Sequence, residues 1–208
     1  MTKPGAILKY LPTIGILTFV GLYFYAAQLY PGGSQADANS VGFDWSNNYW
    51  CNLMREQGLN GAENPARPVA IVAIVLLCIS MTLFFFQFAN RLIKNRNWKL
   101  ALKISGAAGM LSAVFIFTPL HDIMTTILSI CGTVVLIAMI RALYQHKLNG
   151  YMAIGILGML LVGLNNFFYY NPNLIVYSPL VQKTAFVVIL GWTIVLNIKM
   201  NKLRPSST

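Results

Sequence analysis

The chain has 208 residues, 57% of them hydrophobic and 10% charged, with a formal net charge of +10. Soluble domains carry about 25% charged residues, so this composition excludes an ordinary water-soluble domain. In a soluble protein +10 would point to nucleic acid. Here the basic residues border apolar runs of spanning length, where they meet lipid headgroups, and no nucleic-acid partner is expected.

The first predicted helix covers residues 9–29, with Pro12 in its opening turn, where the missing N–H costs little. Its apolar run is longer than the core of a signal peptide and five further spans follow, so it reads as an uncleaved helix. Gly15 and Gly21 offer close backbone approach, and Tyr23, Tyr25 and Tyr30 are expected at the interface with their hydroxyls toward water. Pro31, Gly32, Gly33 and Ser34 then break the helix.

Residues 30–66 form the one long loop, and it is rich in apolar anchors. Trp50, Leu53 and Met54 recur at intervals of three and four, which predicts a short amphipathic helix over 45–57, lying across the bundle mouth as a lid. A turn at Asn64-Pro65 leads into helix two, residues 67–90. Helix three follows over 99–117, with a small face at Gly106, Ala107, Ala108 and Gly109. Thr118-Pro119 and Ser178-Pro179 each read as a hydroxyl cap followed by proline, opening helix four (119–144) and helix six (179–198). Helix five covers 150–168. Three cysteines build no disulfide framework, and Cys51 in the loop is expected as a buried free thiol.

The expected architecture is all-α: one integral membrane domain over 1–208, a six-transmembrane-helix bundle with an extracytoplasmic aromatic lid at 30–66 and a cytoplasmic tail at 199–208. Charge orients it. Asp37, Asp44, Glu56, Glu63 and Asp122 all fall on one side. Of the fifteen basic residues, all but Arg55, Arg67 and Lys183 fall on the other. Positive residues stay inside, so both termini are expected in the cytoplasm of a multi-pass plasma membrane protein, a bacterial inner membrane being the natural setting.

The chemistry-bearing residues gather at the outer mouth. His121 and Asp122 open helix four, where free backbone donors favour a carboxylate, with Thr125 and Thr126 one turn on. A hydrolase would use His121 as base, Asp122 or Asp44 to orient it, and Ser46 or Thr125 as nucleophile. No nucleophile elbow is present, and only two histidines exist, at opposite ends of helix four, so neither a metal nor another cofactor is expected. Arg67, Lys183, Asn48, Asn52, Asn166 and Tyr170 are the candidate ligand-binding groups, suited to a lipid phosphate or a carboxylate. The same groups can equally pair among themselves and anchor the lid.

The run Phe43-Asp44-Trp45-Ser46-Asn47-Asn48-Tyr49-Trp50-Cys51-Asn52-Leu53, with Asn64-Pro65 and the later Phe117-Thr118-Pro119-Leu120-His121-Asp122, resembles a large uncharacterised family of prokaryotic multi-pass membrane proteins. The resemblance implies a multi-pass bacterial protein and supplies no reaction.

Three functions follow from these residues. The leading expectation is a noncatalytic membrane protein that binds lipid or supports a membrane protein partner through its outer face. The alternative is an outer-face hydrolase acting on a lipid or small ester. The third is a transporter of a small or lipidic molecule, weakened by spans almost devoid of charge at their centres.

Overall fold

The computed structural model describes residues 8–202. Among them the regular structure is helical, in six long helices: α1 (Leu11–Leu29), α2 (Arg67–Leu92), α3 (Arg96–Val114), α4 (His121–Gln145), α5 (Asn149–Tyr169) and α6 (Ser178–Lys202). Five of these, all but α3, are long and apolar enough to cross a membrane. In α3, Arg96, Lys99 and Lys103 dilute the opening turns, and the helix lies between α2 and α4.

Chain neighbours pack against each other through α1, α2, α3 and α4, and α5 packs on α6. The last helix returns to touch α1 and α2, while the contact between α4 and α5 is sparser. Small residues let the backbones close. A Cβ on Gly15 would fall 1.8 Å from the Ser80 hydroxyl, one on Gly106 2.6 Å from the Phe85 ring, and one on Gly155 2.6 Å from Trp192. Trp192 is fixed there by its indole N–H, which donates to the Tyr151 carbonyl at 2.8 Å. Gly21, by contrast, faces open space.

Several boundaries differ from those expected, each for a local reason. The amphipathic helix over 45–57 shrinks to a 3-10 helix, Trp50–Met54, because the residues before it are held in an Asp44-centred turn. Its anchors are as expected: Trp50, Leu53 and Met54 are buried. The start of α4 lies at His121, with the Thr118 hydroxyl accepting from Leu120 N at 3.3 Å. Ser178 is spent differently: its hydroxyl donates to Asn165 Oδ1 at 3.1 Å, tying α6 to α5. Residues 199–202 of the expected tail are the last turn of α6, and 203–208 lie outside the described residues. Tyr23 also departs from expectation. It turns inward, 4% exposed, against Phe19 and Trp50, because the lid covers the helix end that would otherwise meet water.

The loop between α1 and α2 is a compact lid. Gly32 bridges Val41 and Gln57 bridges Glu63, each antiparallel, closing two turns. Gly33 sits at φ 81°, where a Cβ would lie 2.3 Å from the Asn60 backbone nitrogen, so this crossing requires glycine. Buried Asn64 gathers the second turn: its amide donates to the carbonyls of Arg55 at 2.9 Å and Leu53 at 3.2 Å, and its oxygen accepts from Ala66 N at 3.1 Å. That last bond carries the lid into the entry of α2.

Candidate functional site

A buried cation of the bundle holds the lid. Lys183, in the second turn of α6, is 8% exposed. Its ammonium donates to the carbonyl of Asn48 in the lid, and at 3.0 Å to the carbonyl of Pro179 on its own helix. It also lies 5.9 Å from the centroid of the Phe43 ring. Next to it, Gln182 Oε1 accepts from Trp50 N at 3.0 Å. Two adjacent side chains of α6 thus hold the backbone of the lid on either side of Tyr49.

Below these bonds lies an aromatic seat. The Trp50 ring is 5.9 Å from Phe19, 5.2 Å from Tyr23 and 5.1 Å from Phe186, so α1 and α6 grip it together. Tyr49 packs edge-on to Tyr169, at 6.3 Å, beside Ser178. Cys51, expected to be buried, is half-buried beside Trp50 and free, and desolvation pushes its thiol up to about 11.

Asn48 is fully buried and organises the lid around Lys183. Its amide donates to the Gly33 carbonyl at 2.8 Å, and its oxygen accepts from Asp44 N at 2.8 Å. Asn48 N returns a bond to the Asp44 carbonyl at 2.8 Å. The Asp44 carboxylate accepts from the Asn47 amide at 2.8 Å, from Ser46 N at 2.9 Å and from Asn47 N at 3.1 Å. The Asn47 amide, ahead of the two backbone donors, holds the Asp44 carboxyl below its ordinary value. A carboxyl depressed in the folded state stabilises at pH values above its unfolded pKa of about 3.9, and that stabilisation is lost as pH falls through the depressed value. Hydrogen exchange of residues 44–48 is therefore expected to stay slow at neutral pH and to accelerate on acidification below about pH 4; exchange indifferent to pH, after correction for its intrinsic rate, would contradict this role.

The expected site residues separate into groups. Asp44, Asn48, Asn52 and Lys183 belong to the lid or its seat. Ser46 sits exposed on the turn and donates its backbone N–H to Asp44. Arg67 pairs with Glu56 at 3.0 Å across a largely exposed surface, an interaction worth little by itself. Asp122 is exposed in the first turn of α4, and the hydroxyls of Thr125 and Thr126 donate back to its carbonyl at 3.0 and 2.8 Å. The His121 side chain lies outside the described residues. Asn166 and Tyr170 stand exposed at the end of α5, the tyrosine at 80%.

Among the described residues, three groups in the seat are buried without a hydrogen-bond partner: the Tyr49 hydroxyl, the Trp50 indole N–H and the Asn52 amide. The Asn52 carbonyl, by contrast, accepts from Arg55 N at 3.2 Å and lies 3.5 Å from the Asn64 amide.

A second polar cluster was not legible beforehand. Near the other end of the bundle, Thr13 donates to Asn197 Oδ1 at 2.8 Å and Asn197 donates to Gln87 Oε1 at 3.1 Å, joining α1, α6 and α2. Arg91 adds a bond to the Met200 carbonyl at 2.7 Å, and His146 lies 2.9 Å from the Leu92 carbonyl. The available signal was an uncharged polar residue in each of these helices close to its basic end. With both ends of the bundle tied by such contacts, the comparison with known proteins adds no family: no family model, curated protein or solved structure matches the chain.

Proposed function

We propose that the chain is a noncatalytic integral membrane protein that serves as a packing partner in the bilayer, with the lid as a fixed closure at one end. The observation that carries this reading is Lys183: its ammonium is engaged with the carbonyls of Asn48 and Pro179. A cation reserved for a headgroup or a substrate carboxylate would be left with donors aimed into open space. Here donors meet lid backbone, and the neighbouring Gln182 does the same. The charge division supports an orientation with both termini cytoplasmic and the lid outside, in the plasma membrane of a bacterium.

The hydrolase reading turns on Ser46 or Thr125 as nucleophile, and a fluorophosphonate probe tests it directly. The full-length protein in phospholipid nanodiscs is expected to show no labelling at either hydroxyl. Covalent labelling there that disappears in His121→Gln would replace the noncatalytic reading with the enzymatic one.

A further inference from the structure

We propose that the lid-end halves of α4 and α5 form the contact surface for a second copy of this chain. The inference rests on the packing-partner reading and names the partner. The two helices are poorly covered: 17% of the spanning stretch of α4 and 11% of that of α5 is buried, against 39% for α1, 50% for α2 and 39% for α6. The deficit is concentrated. Among the described residues, the buried ones of α4 are Val135, Ala138, Met139, Ala142 and Leu143, and those of α5 are Gly155 and Gly158, all in the halves away from the lid.

The uncovered half of α4 carries a polar side next to an apolar one, the latter formed by exposed Ile123, Ile127 and Ile130. Asp122, Thr126, Ser129 and Thr133 are exposed at spacings of four, three and four, which is one side of a helix. Thr126 and Thr133 donate their protons to the carbonyls of Asp122 and Ser129, each at 2.8 Å, so the lone pairs of both hydroxyls remain as acceptors on the outer face. Lipid tails supply no donor to such a row. The matching half of α5 does. Asn166 is exposed and carries a free-standing amide, and one turn before it Gly163 is exposed with no atom within 4 Å of where a Cβ would lie.

The two faces are complementary to each other and belong to antiparallel neighbours at the same end of the bundle. A two-fold axis along the membrane normal brings α4 of one copy against α5 of the other, and makes the same contact twice. Each Asn166 amide then meets the acceptor row of the other chain, and each Gly163 admits the opposing helix closely. Isologous pairing satisfies both faces with one interface, which a single foreign helix would not.

The test is self-association of the full chain in vesicles of phosphatidylethanolamine and phosphatidylglycerol, followed by single-molecule photobleaching across protein-to-lipid ratios. The wild type is expected to be dimeric. Gly163→Leu with Ser129→Leu should weaken association at least tenfold, and Thr126→Val or Asn166→Leu roughly threefold each, the size of one interhelical hydrogen bond in a membrane. Helix content by circular dichroism should be unchanged in all three variants, because the substituted side chains face outward and the fold of each chain does not depend on them. Should the leucine pair fail to fold, mixing chains carrying Thr126→Cys with chains carrying Asn166→Cys and adding copper phenanthroline as oxidant keeps the question open to measurement: a disulfide between these two positions, identified by peptide mapping, is expected, and its absence overturns the interface. A wild type that stays monomeric at every ratio, including one with phospholipid held along α4 and α5, overturns the dimer. So does association that these substitutions leave untouched. Labelling of Ser46 or Thr125 reports on the noncatalytic reading separately, so failure of one is not failure of the other.

Discussion

Replacing Trp50 with alanine is expected to undock the lid. The indole is 8% exposed and touches rings from two different helices, at 5.9 Å (Phe19), 5.2 Å (Tyr23) and 5.1 Å (Phe186). Truncating a buried tryptophan costs about 3 to 5 kcal/mol, because transfer free energy is lost and the space left behind is not refilled. One feature of the site offsets part of this: the indole N–H is buried without a partner, so its removal relieves a desolvation cost. The hydrophobic term is the larger, and the net effect is loss of docking. The readout is alkylation of Cys51, the next residue in the chain, followed by peptide mass mapping to separate it from Cys78 and Cys131. Val41→Ala is the control, since Val41 is 96% exposed and its substitution should change stability by no more than about 0.5 kcal/mol. Equal Cys51 reactivity in the two variants would refute the aromatic seat.

Lys183→Met should separate the order of the lid from the stability of the bundle. Removing the ammonium leaves the buried Asn48 carbonyl without its charged donor, at a cost of about 1 to 3 kcal/mol to the closed lid. Exchange of the amides from Tyr49 to Leu53 should accelerate roughly 5- to 150-fold, the factor that corresponds to this free energy. The helices themselves should be no less stable, because a desolvated cation with no carboxylate within salt-bridge distance among the described residues has been replaced by an apolar side chain of similar length. Thermal melting that falls while lid exchange stays constant would mean that Lys183 supports the bundle and not the lid.

The helical architecture was legible because each span is a long apolar run punctuated by proline, glycine or basic residues. The anchors Trp50, Leu53 and Met54 were legible for a similar reason: spacing of three and four marks one face, and a 3-10 helix preserves that grouping nearly as well as an α-helix does. The partners of Lys183 were not. Its contacts are backbone carbonyls, which every residue carries, so no sequence pattern distinguishes them from a bound phosphate or a nearby aspartate. Thr13, Gln87 and Asn197 escaped notice because each is one uncharged polar group among several in its own helix, with no spacing that singles it out. Their significance appears only when α1, α2 and α6 are known to be adjacent. Asn166 and Tyr170 were grouped with the lid on proximity to a helix end, yet both stand exposed where α5 ends, Tyr170 just past its last residue.

The fixed lid is tested most directly by the reactivity of Cys51 in the unmodified protein. In nanodiscs at pH 7, a thiol pushed up to about 11 holds its thiolate about two to three orders of magnitude below that of an unperturbed cysteine near 8.5. Packing beside Trp50 slows the approach of a maleimide further. Cys51 is expected to remain unmodified over hours and to react promptly once the protein is denatured. Modification within minutes in the folded protein, at the rate of an exposed cysteine, would show a lid that opens freely and would contradict the closure held by Lys183, Gln182 and Trp50.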